Sequence, residues 1–208
     1  MIYMLPLKGA IISNCYLDID ESSGHGFLID PGAEGARLAR LVQKKGWTIE
    51  KILLTHGHFD HFSGVSSLLQ ALGQPVPVLI HESGAAYLTR PQWNLSHLFG
   101  PPLTLSEFSL LRDGDRLDLS CGDLSLEVLH TPGHTLDSVV FLDRAARSAF
   151  VGDTILRGKP GIVHHPTGNL PLLLRSIREV VLSLPSDTDL LPGHSMPTTV
   201  AAERERYL

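Results

Sequence analysis

Four side chains able to bind a metal ion fall within six consecutive positions of this chain: His56, His58, Asp60 and His61, in Thr55-His56-Gly57-His58-Phe59-Asp60-His61. Neutral imidazole with carboxylate is a ligand set for zinc, iron or manganese. In an extended or turning backbone, residues two apart point to the same side, so His56 and His58 can face one point while a following turn carries Asp60 and His61 towards a neighbouring one. One loop can then serve two adjacent ions. Gly57 permits tight backbone geometry between the imidazoles. A histidine-rich surface loop would account for any two of these residues, but poorly for all four.

Three more candidates each follow an expected strand and sit beside a turn residue: His134 in Thr131-Pro132-Gly133-His134-Thr135, Asp153 in Val151-Gly152-Asp153-Thr154, and His194 in Leu191-Pro192-Gly193-His194. Ligands offered from strand ends of a rigid sheet have fixed geometry. Taken alone, each could be an ordinary turn or helix cap. Asp30, in Asp30-Pro31-Gly32, reads equally as a turn former or as a carboxylate that orients the histidine loop. Six histidines remain, His25, His81, His97, His130, His164 and His165, and most are expected to be structural or solvent-facing. His164 and His165, with Arg157 and Lys159, follow Asp153 closely and are candidates to line a substrate pocket and meet an anionic substrate. No Gly-x-Ser-x-Gly elbow is present, so a serine mechanism lacks its usual signature.

These residues need a scaffold, and the apolar patterning supplies one. Residues 1–7, 14–20 and 26–30 read as strands. A helix is expected over 33–45, where Leu38, Leu41 and Val42 recur at helical spacing before Gly46. A strand at 51–55 precedes the histidine loop, and a helix over 63–72 is expected with Ser63 as N-cap and Gly73 as terminator. After a strand at 76–81, residues 83–107 show no clear period and hold Pro91, Trp93, His97, Phe99 and Pro101-Pro102, which suggests a lid or binding loop. Strands follow at 116–119, 124–130, 138–142 and 149–151, then a helix over 170–184 and a last strand at 189–191. Each half is several strands followed by helix, which fits two sheets packed face to face with helices outside.

Composition excludes several classes. Hydrophobic residues make up 43% and charged residues 19% of the 208 residues, as in ordinary globular proteins. A formal charge of −5 gives no general attraction to phosphate backbones or anionic lipid, so neither nucleic acid nor membrane is expected as a partner. Residues 1–10 lack a basic leader region and read as a strand. Cys15 and Cys121 form no metal or redox motif and are expected to be buried thiols in a reducing cytoplasm.

In the order Asp30, histidine loop, His134, Asp153 and His194, the sequence resembles the metallo-β-lactamase superfamily. Within it, the resemblance is to the short glyoxalase II-like (hydroxyacylglutathione hydrolase-like) hydrolases, and it covers nearly the whole chain. It implies an α/β fold, a four-layer αβ/βα sandwich of two mixed β-sheets flanked by helices, with residues 1–208 as one domain. It also implies two divalent metal ions, zinc foremost with iron or manganese as alternatives. His56, His58 and His134 would hold one ion, Asp60, His61 and His194 the other, with Asp153 bridging and Asp30 in support. The implied reaction is hydrolysis of a small thioester such as an acylglutathione by metal-activated hydroxide, which Asp60 would also help to orient. An iron-dependent persulfide dioxygenase and a phosphodiester or other ester hydrolase share the fold and are the alternatives. A flavodiiron site would carry glutamate at position 58, and β-lactam-cleaving members lack the bridging carboxylate, so both branches are disfavoured. Residues 161–165 depart from the Gly-Arg-Thr-Asp-like segment of short relatives, which points to a changed substrate pocket.

Overall fold

Strands that are apolar at every position have two faces to cover, and the alternation of side chains between those faces decides what covers each. The computed structural model describes residues 1–207. From the N-terminus run β1 (Ile2–Lys8), β2 (Ile12–Ile19), β3 (His25–Ile29), α1 (Gly35–Lys45), β4 (Thr48–Leu53), the single-turn α2 (Phe59–Phe62), α3 (Val65–Leu72) and β5 (Val78–His81). Two short helices, α4 (Ala85–Thr89) and α5 (Pro91–Asn94), lead to β6 (Ser109–Leu111), β7 (Arg116–Asp118), β8 (Ser125–His130), β9 (Val139–Asp143) and β10 (Ser148–Gly152). The chain closes with the hairpin β11 (Ile155–Leu156) and β12 (Lys159–Pro160), α6 (Leu170–Glu179), β13 (Asp189–Pro192), β14 (Thr198–Thr199) and α7 (Val200–Tyr207).

One sheet has the order β1-β2-β3-β4-β5-β6 and the other β14-β13-β10-β9-β8-β7. Both are mixed: β3, β4, β5 and β6 pair in parallel, as do β10 and β13, while the remaining pairs are antiparallel. Tyr16, Phe27 and Ile29 from the first sheet meet Val139, Phe141 and Phe150 from the second in a layer between the sheets. Their neighbours Cys15, Leu17 and Leu28 face α1 and α3 through Leu38, Val42 and Leu68. On the far side Val140, Leu142, Ala149 and Val151 face α6 through Leu173 and Ile177. The result is the expected four-layer sandwich, two sheets back to back with helices outside. Among the described residues, no helix is long and apolar enough to cross a membrane.

Several expectations are corrected. The helix expected over 63–72 is two pieces, α2 and α3, and Ser63 is the N-cap of neither: it closes α2 as its C-cap, and its hydroxyl donates to the Gly32 carbonyl. Glu34, in the left-handed region, delays the start of α1 to Gly35. The helix expected over 170–184 ends at Glu179 and continues only as a 3-10 turn at Val181–Ser183. Residues 83–107 are not structureless, since they hold α4, α5 and two 3-10 turns. Their interior tie is Asn94, fully buried, whose amide donates to the carbonyls of Tyr87 and Leu103 at 2.9 Å each. Cys15 is buried as expected, but Cys121 is exposed.

Two residues on from Tyr16 and Phe141, Asp18 and Asp143 also face the layer between the sheets, at 1% and 3% exposure. Burial and then the adjacent Asp143 push the Asp18 carboxyl above its usual range. Because its folded pKa is raised, the folded state keeps a proton that the unfolded chain has released. The stability this confers is fully present below pH ~4 and is lost as pH rises towards neutrality. Asp18→Asn is therefore expected to raise the unfolding free energy at pH 8 by about 1–3 kcal/mol and to change it much less at pH 4. Denaturant titrations at the two pH values check this, and equal effects at both would dismiss the pair as the cause.

Candidate metal centre

Parallel pairing brings strand C-termini to one edge, and the candidate ligands follow those termini. Asp30 follows β3; His56, His58, Asp60 and His61 follow β4; Asp153 follows β10 and His194 follows β13. His134 sits in the connection from β8 to β9 at the same edge of the second sheet. After β4 the chain bends at Thr55 and His56, is extended at His58 and then makes the single turn of α2, which swings Asp60 and His61 away from the direction of His56 and His58.

The seven side chains form overlapping groups: His56, His58 and His134; His56, His61 and Asp153; Asp60, His61 and His194. In the first, His134 Nε2 lies 3.2 Å from His56 Nε2 and 3.1 Å from His58 Nδ1, and the latter two are 3.1 Å apart. That spacing is close to what three nitrogens show when sharing one ion at ~2.0–2.1 Å. In the second pole, His194 Nε2 is 3.2 Å from Asp60 Oδ2, and His61 Nε2 is 4.0 Å from it. Asp153 lies between the poles, with Oδ2 3.7 Å from His134 Nε2 and 3.5 Å from His194 Nε2, and Oδ1 3.8 Å from His61 Nε2.

The donor set fits metal ions on two further observations. His61 Nε2 and Asp153 Oδ1 are buried without a hydrogen-bond partner among the described residues, although such groups are costly to leave unpaired. His58 Nε2, which points away from the nitrogen triangle, is also buried and unpartnered among the described residues. Gly193 has no side chain to spare: a Cβ there would come within 2.5 Å of His61 Cε1 and 2.6 Å of Asp153 Oδ1, filling the space those ligands enclose.

Backbone and side-chain acceptors hold the far nitrogens. His61 Nδ1 is 2.9 Å from Asp30 Oδ2, and the same carboxylate accepts from Thr55 N at 2.8 Å and Thr55 Oγ1 at 2.7 Å. His134 Nδ1 donates to the Ile162 carbonyl and His194 Nδ1 to the Ile12 carbonyl, both at 2.7 Å. Such contacts fix the tautomer and the ring plane of a ligand histidine. Asp30 thus acts as more than a turn aspartate. The carbonyls of Ile12 and Ile162 were beyond sequence reasoning, because any residue type carries one. Tyr87 was missed as well: its hydroxyl accepts from Leu136 N at 3.0 Å, steadying the His134 loop.

Electrostatically the poles differ. Burial, and then mutual repulsion among imidazoles, pushes His56 and His58 well below the usual histidine range and lowers His134 to about 3. Burial would also depress His61, but Asp30, Asp60 and Asp153 outweigh it and raise it to about 10. His194 is raised likewise, its burial outweighed by its hydrogen bond to Asp60 and by Asp153. Burial works to raise Asp60, yet His61 and His194 hold it well below the carboxylate range.

Five of the seven candidate ligands, His58, Asp60, His134, Asp153 and His194, form one wall of a cavity of about 720 Å³, also lined by Lys159, His164 and His165. His165 has its ring 4.5 Å from that of His58 and 4.6 Å from that of His134. Arg157, expected beside Lys159, does not line the cavity, because the tight β11–β12 hairpin turns it away, and it is exposed. In the 83–107 segment, Phe99 stacks on Phe59 at 4.8 Å and His97 lines the cavity, while Trp93 packs on Tyr87. His130 stacks on His81 at 4.0 Å and serves packing.

Comparison with known proteins agrees with this geometry. The family model described as the metallo-beta-lactamase superfamily matches residues 9–194, and the chain belongs to that superfamily. It is 34% identical to a protein of Bacillus subtilis named a probable metallo-hydrolase, over 95% of this chain and 92% of that one. It is 30% identical to a hydroxyacylglutathione hydrolase of Haemophilus influenzae, over 94% and 91% of the two chains. A crystal structure named a B3 metallo-beta-lactamase superposes with a TM-score of 0.90 at 30% identity, covering 99% and 97%. Another, solved in a di-iron-bound form, gives 0.82 at 32% identity, covering 98% of each.

A metal ion needs a deprotonated ligand nitrogen, whereas His61 is held protonated below about pH 10 when no metal is bound. Metal binding at pH 7 is therefore expected to release about one to two protons per chain and to weaken as pH falls. Calorimetry in buffers of different ionisation enthalpy measures this release, and binding with no proton released would contradict the charge pattern described.

Proposed function

We propose that this chain is a binuclear metal-dependent hydrolase whose substrate is a small-molecule thioester such as an acylglutathione, and that it works in the cytoplasm with neither nucleic acid nor membrane as partner. The observation that carries this reading is the position of Asp153, with carboxylate oxygens facing both ligand groups. His56, His58 and His134 would hold one ion, Asp60, His61 and His194 the other, and Asp153 both. The relative named a hydroxyacylglutathione hydrolase supports the thioester, and the di-iron-bound structure supports iron beside zinc as the resident metal.

Two bound divalent ions supply Lewis-acid polarisation of the scissile carbonyl and bring the pKa of water from 15.7 towards ~7. The chain's own residues do the rest. Asp60 stays ionised at neutral pH, so its carboxylate accepts a proton-bearing donor and orients the attacking water. Lys159, on the cavity wall, meets a carboxylate on the substrate. A thiolate is a good leaving group and needs little help from an acid. The complete second ligand set favours hydrolysis over persulfide oxygenation, which needs one iron.

Protein purified without added metal and then saturated is expected to bind about two ions per chain and to cleave thioesters. Asp153→Ala should lower metal content and turnover together, and a folded variant unchanged in both would remove Asp153 from the site. Metal-loaded protein that takes up oxygen with glutathione persulfide, or that opens a β-lactam, while leaving thioesters intact would overturn the reading. Lys159→Gln should raise KM for carboxylate-bearing thioesters several-fold, equivalent to ~1 kcal/mol for an exposed charge pair, with kcat little changed. The same substitution at Arg157, outside the cavity, should have no such effect. Steady-state kinetics on charged and neutral thioesters separate the two.

A further inference from the structure

The cavity beside the ligands is apolar on the side reached from the histidine loop. Phe59 stands between ligands His58 and Asp60 in the chain and lines the cavity together with Ile11, Leu95, Leu98 and Phe99. A wall of this kind begins at the ligands themselves, since Phe99 stacks on Phe59 with rings 4.8 Å apart. Leu156 and Ile162 add apolar surface from the segment that follows Asp153. Three of these side chains are left open to water: Leu98 at 65%, Phe99 at 48% and Ile162 at 61% exposure. Single exposed apolar residues are ordinary, but several converging on the cavity that holds the chemistry form a binding surface. Charge is scarce by comparison. Among the described residues, apart from the metal ligands and neighbouring histidines, Lys159 is the one charged residue lining the cavity, and no arginine lines it.

The geometry points to a thioester whose acyl group is an extended aliphatic or aromatic chain. With the carbonyl at the ligands, the acyl chain runs over Phe59 against Leu95, Leu98 and Phe99, and the acyl half is recognised through this burial. The volume of about 720 Å³ lies within the ~300–1,000 Å³ of ordinary small-molecule sites, so it accommodates such a chain beside a compact thiol. The inference rests on the hydrolase reading and adds the substrate class to it.

The test uses metal-loaded protein and thioesters of one neutral thiol, N-acetylcysteamine, with acetyl, butyryl, hexanoyl and octanoyl groups. Full burial of a methylene is worth about fourfold and these walls are partly open, so kcat/KM is expected to rise about twofold per methylene, mainly through KM. Leu98→Asn and Phe99→Asn, both at exposed positions, should flatten the series by lowering the octanoyl value far more than the acetyl value. Calorimetry with the uncleavable S-octyl thioether should show binding with a negative heat-capacity change, weakened in the same variants. Acetyl thioester cleaved as well as octanoyl, with no thioether binding, would overturn the inference and leave the hydrolase standing. If no thioester is cleaved by protein holding its metal, the hydrolase reading falls and the acyl inference falls with it.

Discussion

Five imidazoles and two carboxylates share one buried edge of this fold, where each unpaired polar atom costs on the order of 1–3 kcal/mol and like groups repel. What holds them is less the ligands' own contacts than the anchoring of their far atoms. Asp30 is the central case. At 1% exposure it accepts from the backbone and hydroxyl of Thr55 and meets His61 Nδ1, so one carboxylate ties the end of β3 to the residue that opens the histidine loop and to a ligand within it. The carbonyls of Ile12 and Ile162 serve His194 and His134 in the same way, one from the first sheet's side and one from the second's.

This constraint explains why the strands are arranged as they are. Asp30 can reach Thr55 because β3 and β4 run parallel in register, Ile29 opposite Leu53, and so end together. Asp153 can approach His194 because β10 and β13 do the same in the other sheet, Gly152 opposite Pro192. Gly152 makes the turn with φ of 47°, in the left-handed region, and packs so closely on Thr55 that a Cβ would collide with it. The two sheets are thereby locked at the edge where their ligands must meet. Further in, apolar packing between Tyr16, Phe27, Phe141 and Phe150 joins them.

Much of this was legible beforehand, for identifiable reasons. Period-two and fully apolar runs gave away the central strands because both faces of those strands are buried. The ligands stood out because His-x-His-x-Asp-His has few structural explanations, and the positions of His134, Asp153 and His194 beside Gly or Pro followed from their being strand ends. Short elements escaped notice. β6, β11, β12 and β14 have two or three residues each, too few to show a period, and α7 carries Glu203, Arg204 and Arg206 with little apolar face. Ser63 looked like a cap because it precedes an apolar helical run, yet its hydroxyl is taken by Gly32, a partner 31 residues away that no local reading could supply. Cys121 looked like a buried thiol by type, but it lies in the turn between β7 and β8, where the chain is open to water.

The same contrast divides the chemistry from its substrate. A metal ligand must be one of a few residue types, held within a fraction of an ångström, so its position on a strand end leaves a mark in the sequence. A cavity wall is under a weaker demand. Leu98, Phe99 and Ile162 could each be replaced by another apolar residue with similar effect, and they come from the connection after α5 and the segment after β12, not from the sheets. Motif order therefore reports the reaction centre, whereas substrate choice is written in exposed loop residues whose meaning appears only once the fold sets them beside the ligands. Arg157 and Lys159 make the point within three residues: sequence gave no reason to separate them, and the turn of the β11–β12 hairpin puts one on the cavity and the other outside it.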